Sequence, residues 1–112
     1  MAMVPLPRLP SMFLTRGNRV FVVILTYKNP VDTARCVASL RLSSDRGVFP
    51  IVVDTASGGN DVAQLRNVLG PAITIIETDE NLGYAGGNNV GIRYALDRDA
   101  DYVWILNPDT EF

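Results

Sequence analysis

Four short runs of apolar, mostly β-branched residues recur along the chain: RVFVVILTY, FPIVVDT, AITIIET and DYVWIL. Each gap between them is long enough to hold a helix. Nearly continuous apolar strands of this kind belong in a sheet that is buried on both faces. Strands and helices in strict alternation imply right-handed crossovers and a mainly parallel sheet. The expected fold class is therefore α/β, a three-layer α/β/α arrangement with helices on both sides.

Local signals place the helices. Asn29 suits an N-cap, Pro30 the first helical position and Asp32 the first turn, where the helix dipole favours an acid. This helix should run to about Leu42 with Val31, Ala34, Val37 and Ala38 on its inner face. A second helix is expected over Asp61 to Leu69, presenting Val62, Leu65 and Leu69 and stopped by Gly70-Pro71. A third is expected from about Gly87 to Arg98, after a loop that carries ENLGYAGGNNVG. Residues 19–112 form one α/β unit in this reading. Residues 1–18, interrupted by Pro5, Pro7 and Pro10, form a flexible or loosely docked arm.

Composition narrows the function. A net charge of −2 argues against affinity built on neutralising nucleic-acid phosphates, so no nucleic-acid partner is expected. There is no histidine, which excludes imidazole catalysis and imidazole metal ligands within this chain. The one cysteine, Cys36, reads as a small core residue. No apolar run approaches the roughly 18 to 20 residues that a membrane-spanning helix needs, and a signal peptide is not expected. The expected location is the cytoplasm, including the cytoplasmic face of the membrane.

In open parallel sheets, ligands bind beyond the carboxyl ends of the strands, where the strand order reverses. Nearly all the unusual polar residues fall at those ends. Thr26, Tyr27, Lys28 and Asn29 follow the first run, Asp54, Thr55 and Ser57 the second, Asp79 to Asn89 the third, and Asn107, Pro108 and Asp109 the fourth. Each has an ordinary reading as a cap or turn residue. Together on one edge they read as a nucleotide site. Asp54 is placed to accept hydrogen bonds from a ribose or base. Asp109, with Asn107 or water, is placed to hold a hard divalent cation, Mg²⁺ or Mn²⁺, that neutralises a diphosphate. A dinucleotide fold would need G-x-G-x-x-G directly after a strand, and TYKNP after the first run has no glycine. Hydride chemistry is rejected on that ground.

The pieces VVILTYKNPVDTARCVASL, IVVDTAS, ENLGYAGGNNVGIRYAL and DYVWILNPDT resemble, in order and spacing, the family-2 glycosyltransferases of the GT-A fold, especially the rhamnosyltransferase-like branch. That resemblance implies the N-terminal, Rossmann-like nucleotide-binding half of such an enzyme. It implies base contacts from Thr26 and Tyr27, a base or ribose contact from Asp54, and a nucleotide-side role for Asn81, Gly83, Tyr84 and Asn89. It implies a D-x-D-like metal and diphosphate motif at Asn107, Pro108 and Asp109, with asparagine in place of the first acid. The implied activity is transfer, with inversion, of a sugar from a dTDP- or UDP-sugar to an acceptor hydroxyl on a glycan or lipid-linked sugar. The catalytic base is expected outside these residues, in a second half that the family carries beyond the metal motif. The alternatives are a non-catalytic nucleotide-binding or interaction module, or an inactive fragment, derived from such an enzyme, and a nucleotidyltransferase, which lacks its basic phosphate loop here. An unpaired edge at the DYVWIL strand is expected to promote self-association.

Overall fold

The computed structural model describes residues 2–5, 19–43, 47–56 and 58–108. The elements are β1 (Ala2–Pro5), β2 (Val20–Thr26), α1 (Pro30–Ser43), β3 (Val48–Thr55), α2 (Gly59–Leu69), β4 (Thr74–Thr78), α3 (Gly83–Leu96) and β5 (Tyr102–Leu106). All four expected strands form, and all three helices. They build one sheet in the order β1-β5-β2-β3-β4, in which β5, β2, β3 and β4 are mutually parallel.

Two cores hold the layers together. On one face Val22, Ile24, Val52 and Leu106 pack with Cys36, Val37 and Leu40 of α1 and Leu65 and Leu69 of α2. On the other, Phe21, Val23, Ile51, Val53 and Val103 pack with Ala95 of α3, supported by Val90, Ile92 and Tyr94. The strands alternate inward to both faces, which is why they read as continuous apolar runs. The chain steps from β2 through β3 to β4, then returns across the sheet to place β5 on the other side of β2. With right-handed crossovers, that reversal puts α3 on the face opposite α1 and α2. The reversal also defines a switch point between the carboxyl ends of β2 and β5.

Three expectations change. The inner face of α1 is Thr33, Cys36, Val37 and Leu40, whereas Val31 is 57% exposed and Ala38 is exposed. Thr33 can turn inward because its hydroxyl is satisfied there, 2.6 Å from the Asn29 carbonyl oxygen and 2.8 Å from Thr26 Oγ1. A hydrophobic pattern counts threonine as polar and so rotates the helix wrongly.

α3 begins at Gly83, a full turn before the expected start, so most of the glycine-rich loop is helix. Glycine disfavours helix interiors by about 1 kcal/mol each, but here close packing outweighs propensity. A Cβ at Gly91 would lie 2.5 Å from Val23 Cγ1, and one at Gly87 would lie 3.0 Å from Thr55 Cγ2 with Leu25 Cδ1 closer still.

The far edge of β5 is not open. Ala2–Pro5 pairs with it antiparallel, with Met3 opposite Trp104 and Val4 opposite Val103. The expectation of an unpaired β5 edge is thereby corrected. The remaining expectation for the arm concerns residues outside those described.

Candidate functional site at the carboxyl ends of the strands

The carboxyl ends of β2, β3 and β4 are tied together by threonines. Thr55 Oγ1 donates to the Thr26 carbonyl at 3.3 Å, and Thr78 Oγ1, which donates to the Glu80 carbonyl at 2.8 Å, also lies 3.3 Å from the Asp54 carbonyl oxygen. Threonine suits this place because its branched Cβ fits a strand while its hydroxyl reaches the next strand's terminal carbonyl. At the end of β5, the Asn107 carbonyl accepts from the Cys36 thiol at 3.7 Å, which anchors the strand end to α1. These contacts join the strand ends at the switch point to one another and to α1.

On this platform Thr26 and Asp54 are direct cross-strand partners, and both are buried. They share the α1/α2 face, since Ile24 and Val52 two residues earlier lie in that core. The Thr26 hydroxyl is engaged by Thr33, so its local work is to hold the turn from β2 into α1. Tyr27 is 49% exposed at the mouth, with Lys28 Nζ 5.4 Å from its ring centroid. Asn107 is exposed directly after β5.

Backbone strain gathers here as well. Lys28 has φ 51° and Ala56 has φ 57°, left-handed conformations for non-glycine residues one or two positions past the ends of β2 and β3. Such conformations cluster at functional sites, held there by surrounding structure. Composition gives no sign of them, because neither residue is glycine or asparagine.

The glycine-rich segment contributes in a different way from the one its sequence suggests. Asn81 Oδ1 accepts from the Gly83 N–H at 2.9 Å, fixing the entry to α3. Gly83 has φ 74° with open space where a Cβ would stand, so it is there for its backbone angle. Tyr84 is 64% exposed in the first turn. Asn89 is exposed, and at about 100° per residue it lies on the side of α3 opposite Gly87 and Gly91, facing away from the sheet. The asparagine that turns inward is its neighbour Asn88, which is buried. The i, i+4, i+8 spacing of the small residues Gly87, Gly91 and Ala95 is the sequence signal that could have identified this inner face.

Thus Thr26, Tyr27, Asp54 and Asn107 lie together at one edge with the start of α3, while Asn89 points elsewhere. Ser57 and Asp109 lie outside the described residues. Among the described residues no three carboxylate, thiol or imidazole groups converge on a point that could hold a metal ion. Among the described residues, the protein donors at this edge do not form a metal cage by themselves. A concave feature of about 230 Å³ near the sheet's opposite end lies between Arg41, Phe49, Pro50 and Ile73, and none of the residues expected at the nucleotide site lines it. No helix among the described residues is long and apolar enough to cross a membrane.

An open parallel sheet with a single reversal, and polar residues collected at its switch point, is the architecture of nucleotide-binding α/β proteins. Residues 21–112 match Glycosyl transferase family 2, and the chain belongs to that family. It is 36% identical over 91 residues to the low-salt glycan biosynthesis hexosyltransferase Agl10 of Haloferax volcanii, covering 80% of this chain and 27% of that protein. It is 33% identical to the galactofuranosyltransferase GlfT1 of Mycobacterium tuberculosis, covering 80% of this chain and 30% of that protein. The chain thus spans less than a third of the relatives it matches. Among solved structures, the mannosyltransferase PcManGT from Pyrobaculum calidifontis, in complex with GDP-Man and Mn²⁺, superposes with a TM-score of 0.71 at 24% identity. The match covers 88% of this chain and 29% of that one. The fold is that of a GT-A glycosyltransferase.

Proposed function

We propose that this chain supplies the donor-nucleotide site of a glycosyltransferase that moves a sugar from a nucleoside diphosphate to an acceptor hydroxyl, with inversion at the anomeric carbon. The observation that carries the reading is the meeting of Tyr27, Asp54 and Asn107 at the β2/β5 switch point in a family-2 chain. Tyr27, half-exposed at the mouth, offers its ring to the base. Asp54, at the end of β3, takes the ribose or base edge, and the start of α3 with Asn81, Gly83 and Tyr84 flanks the nucleotide.

A divalent cation fits this edge when donor phosphates complete its coordination, with Asp109 and Asn107 as the chain's own oxygen donors. When bound, such an ion neutralises charge on the departing diphosphate. The chain's own part is to hold the nucleotide over the joined strand ends and to keep the base stacked away from water. The acceptor, a glycan or lipid-linked sugar, and the general base that takes its proton are assigned to no residue described here.

Calorimetric titration with UDP, dTDP and GDP, each with and without Mn²⁺, tests the proposal. Binding of at least one nucleotide, strengthened by Mn²⁺ and weakened by Asp54→Asn, is the expected result. The absence of binding by all three in the presence of the metal would overturn it.

A further inference from the structure

We infer that Asn88 is a ligand-binding residue of the switch-point crevice, where its carboxamide takes a hydroxyl group of the bound nucleotide sugar. Its side chain is 3% exposed, and neither Oδ1 nor Nδ2 has a hydrogen-bond partner. Buried polar groups in folded proteins are satisfied in roughly nine cases of ten or more, because an unmade hydrogen bond away from water is expensive. A carboxamide with both ends orphaned therefore points to a group that arrives from outside.

The fold fixes where that group would be. Tyr94 Oη lies 3.4 Å from Thr74 Oγ1, so this flank of α3 faces β4. Gly87 sits over Leu25 and Thr55, level with the carboxyl ends of β2 and β3. Asn88 follows Gly87 by one residue, about 100° further round the helix and away from Tyr94. Its side chain is thus directed toward β5 at the height of the strand ends, which is the crevice between β2 and β5.

The chemistry of the ligand group follows from what the carboxamide lacks. It offers one acceptor and two donor hydrogens. A phosphate only accepts and would leave Oδ1 unpaired, and a cation would leave Nδ2 unpaired. A hydroxyl both donates and accepts, so it answers both. In a nucleotide sugar such hydroxyls stand on the ribose and on the transferred sugar. This inference rests on the donor-site reading above and adds to it a residue that the exposed Asn89 does not replace.

The test uses Asn88→Leu, of similar volume, and Asn88→Ala. Unfolding midpoints without ligand are compared with affinities for GDP, GDP-mannose, UDP, UDP-glucose and hydroxyl-free pyrophosphate. The expected result is an unchanged or raised midpoint in the leucine variant, with affinity for the hydroxyl-bearing ligands reduced about tenfold or more and pyrophosphate unaffected. Loss already seen with the bare nucleotides assigns the ribose, and loss confined to the nucleotide sugars assigns the transferred sugar. Unchanged affinity in both variants overturns the inference while leaving the donor site standing. So does failure of both to fold, or a lowered midpoint at unchanged affinity, since each marks a purely internal role such as holding a buried water. If the wild-type chain binds none of these ligands, the donor-site reading fails and the inference falls with it.

Discussion

Gly91 of α3 lies over Val23 of β2 so closely that a Cβ at Gly91 would stand 2.5 Å from Val23 Cγ1 and 3.2 Å from Val53 Cγ2. Both neighbours are β-branched and stiff, so neither can swing aside. Gly91→Ala should therefore destabilise the chain by about 1–3 kcal/mol through overpacking, in spite of alanine's better helix propensity. Gly87→Ala should cost less, because its tightest neighbour is the flexible end of Leu25. Denaturant unfolding of the two variants checks the order, and equal stability of Gly91→Ala and wild type would contradict the packing.

Thr26 and Thr33 form a buried hydroxyl pair 2.8 Å apart. Removing the Thr33 hydroxyl leaves Thr26 only the Asn29 carbonyl at 3.4 Å, whereas removing that of Thr26 leaves Thr33 its 2.6 Å bond to the same carbonyl, so within a range of about 1–3 kcal/mol the Thr33 change should cost more. Thr26→Val and Thr33→Val should each destabilise, and the double substitution should cost clearly less than the sum of the two. A double-mutant cycle with no coupling would show that the pair does not act as a unit.

The order of elements was legible in the sequence because four apolar runs and their caps agree at every level. Asn29, Pro30 and Gly70 mark helix ends where the structure has them. What was not legible is the origin of each misreading. The glycines of ENLGYAGGNNVG carry two meanings, a permissive backbone at Gly83 and a bare surface for packing at Gly87 and Gly91, and local sequence does not separate them. The nucleotide-side role was expected of Asn89, yet α3 turns Asn88 inward and Asn89 outward, a distinction that depends on how the helix is rotated against the sheet. The strained backbone at Lys28 and Ala56 is imposed by the strand ends around it and leaves no compositional trace. Pairing of Ala2–Pro5 with β5 is a contact between the two ends of the chain, beyond the reach of local patterns.

That pairing has a measurable consequence. Deleting residues 1–5 would open the edge of β5 from Tyr102 to Ile105, and unpaired edges invite pairing with another copy. The truncated chain should self-associate at concentrations where the intact chain does so less, as read by light scattering. Identical behaviour of the two would mean that β1 does not protect this edge.

Tyr27 separates binding from stability. It is 49% exposed, so Tyr27→Ala should leave the unfolding free energy within about 0.5 kcal/mol of wild type. A ring stacked on a base is worth about 1–3 kcal/mol, and the variant's nucleotide affinity should fall by that amount. Unaltered affinity would remove Tyr27 from the site.

The position of the nucleotide itself is best measured by backbone amide NMR during titration with a nucleoside diphosphate, first with Mg²⁺ and then with paramagnetic Mn²⁺. The expected result is that Tyr27, Asp54, Asn88 and Asn107 shift with Mg²⁺ and that signals near Asn107 broaden with Mn²⁺, while Phe49 and Ile73 at the opposite end of the strands stay in place. Shifts confined to Phe49, Ile73 and their surroundings, or none at saturating ligand, would contradict a donor site at the β2/β5 switch point.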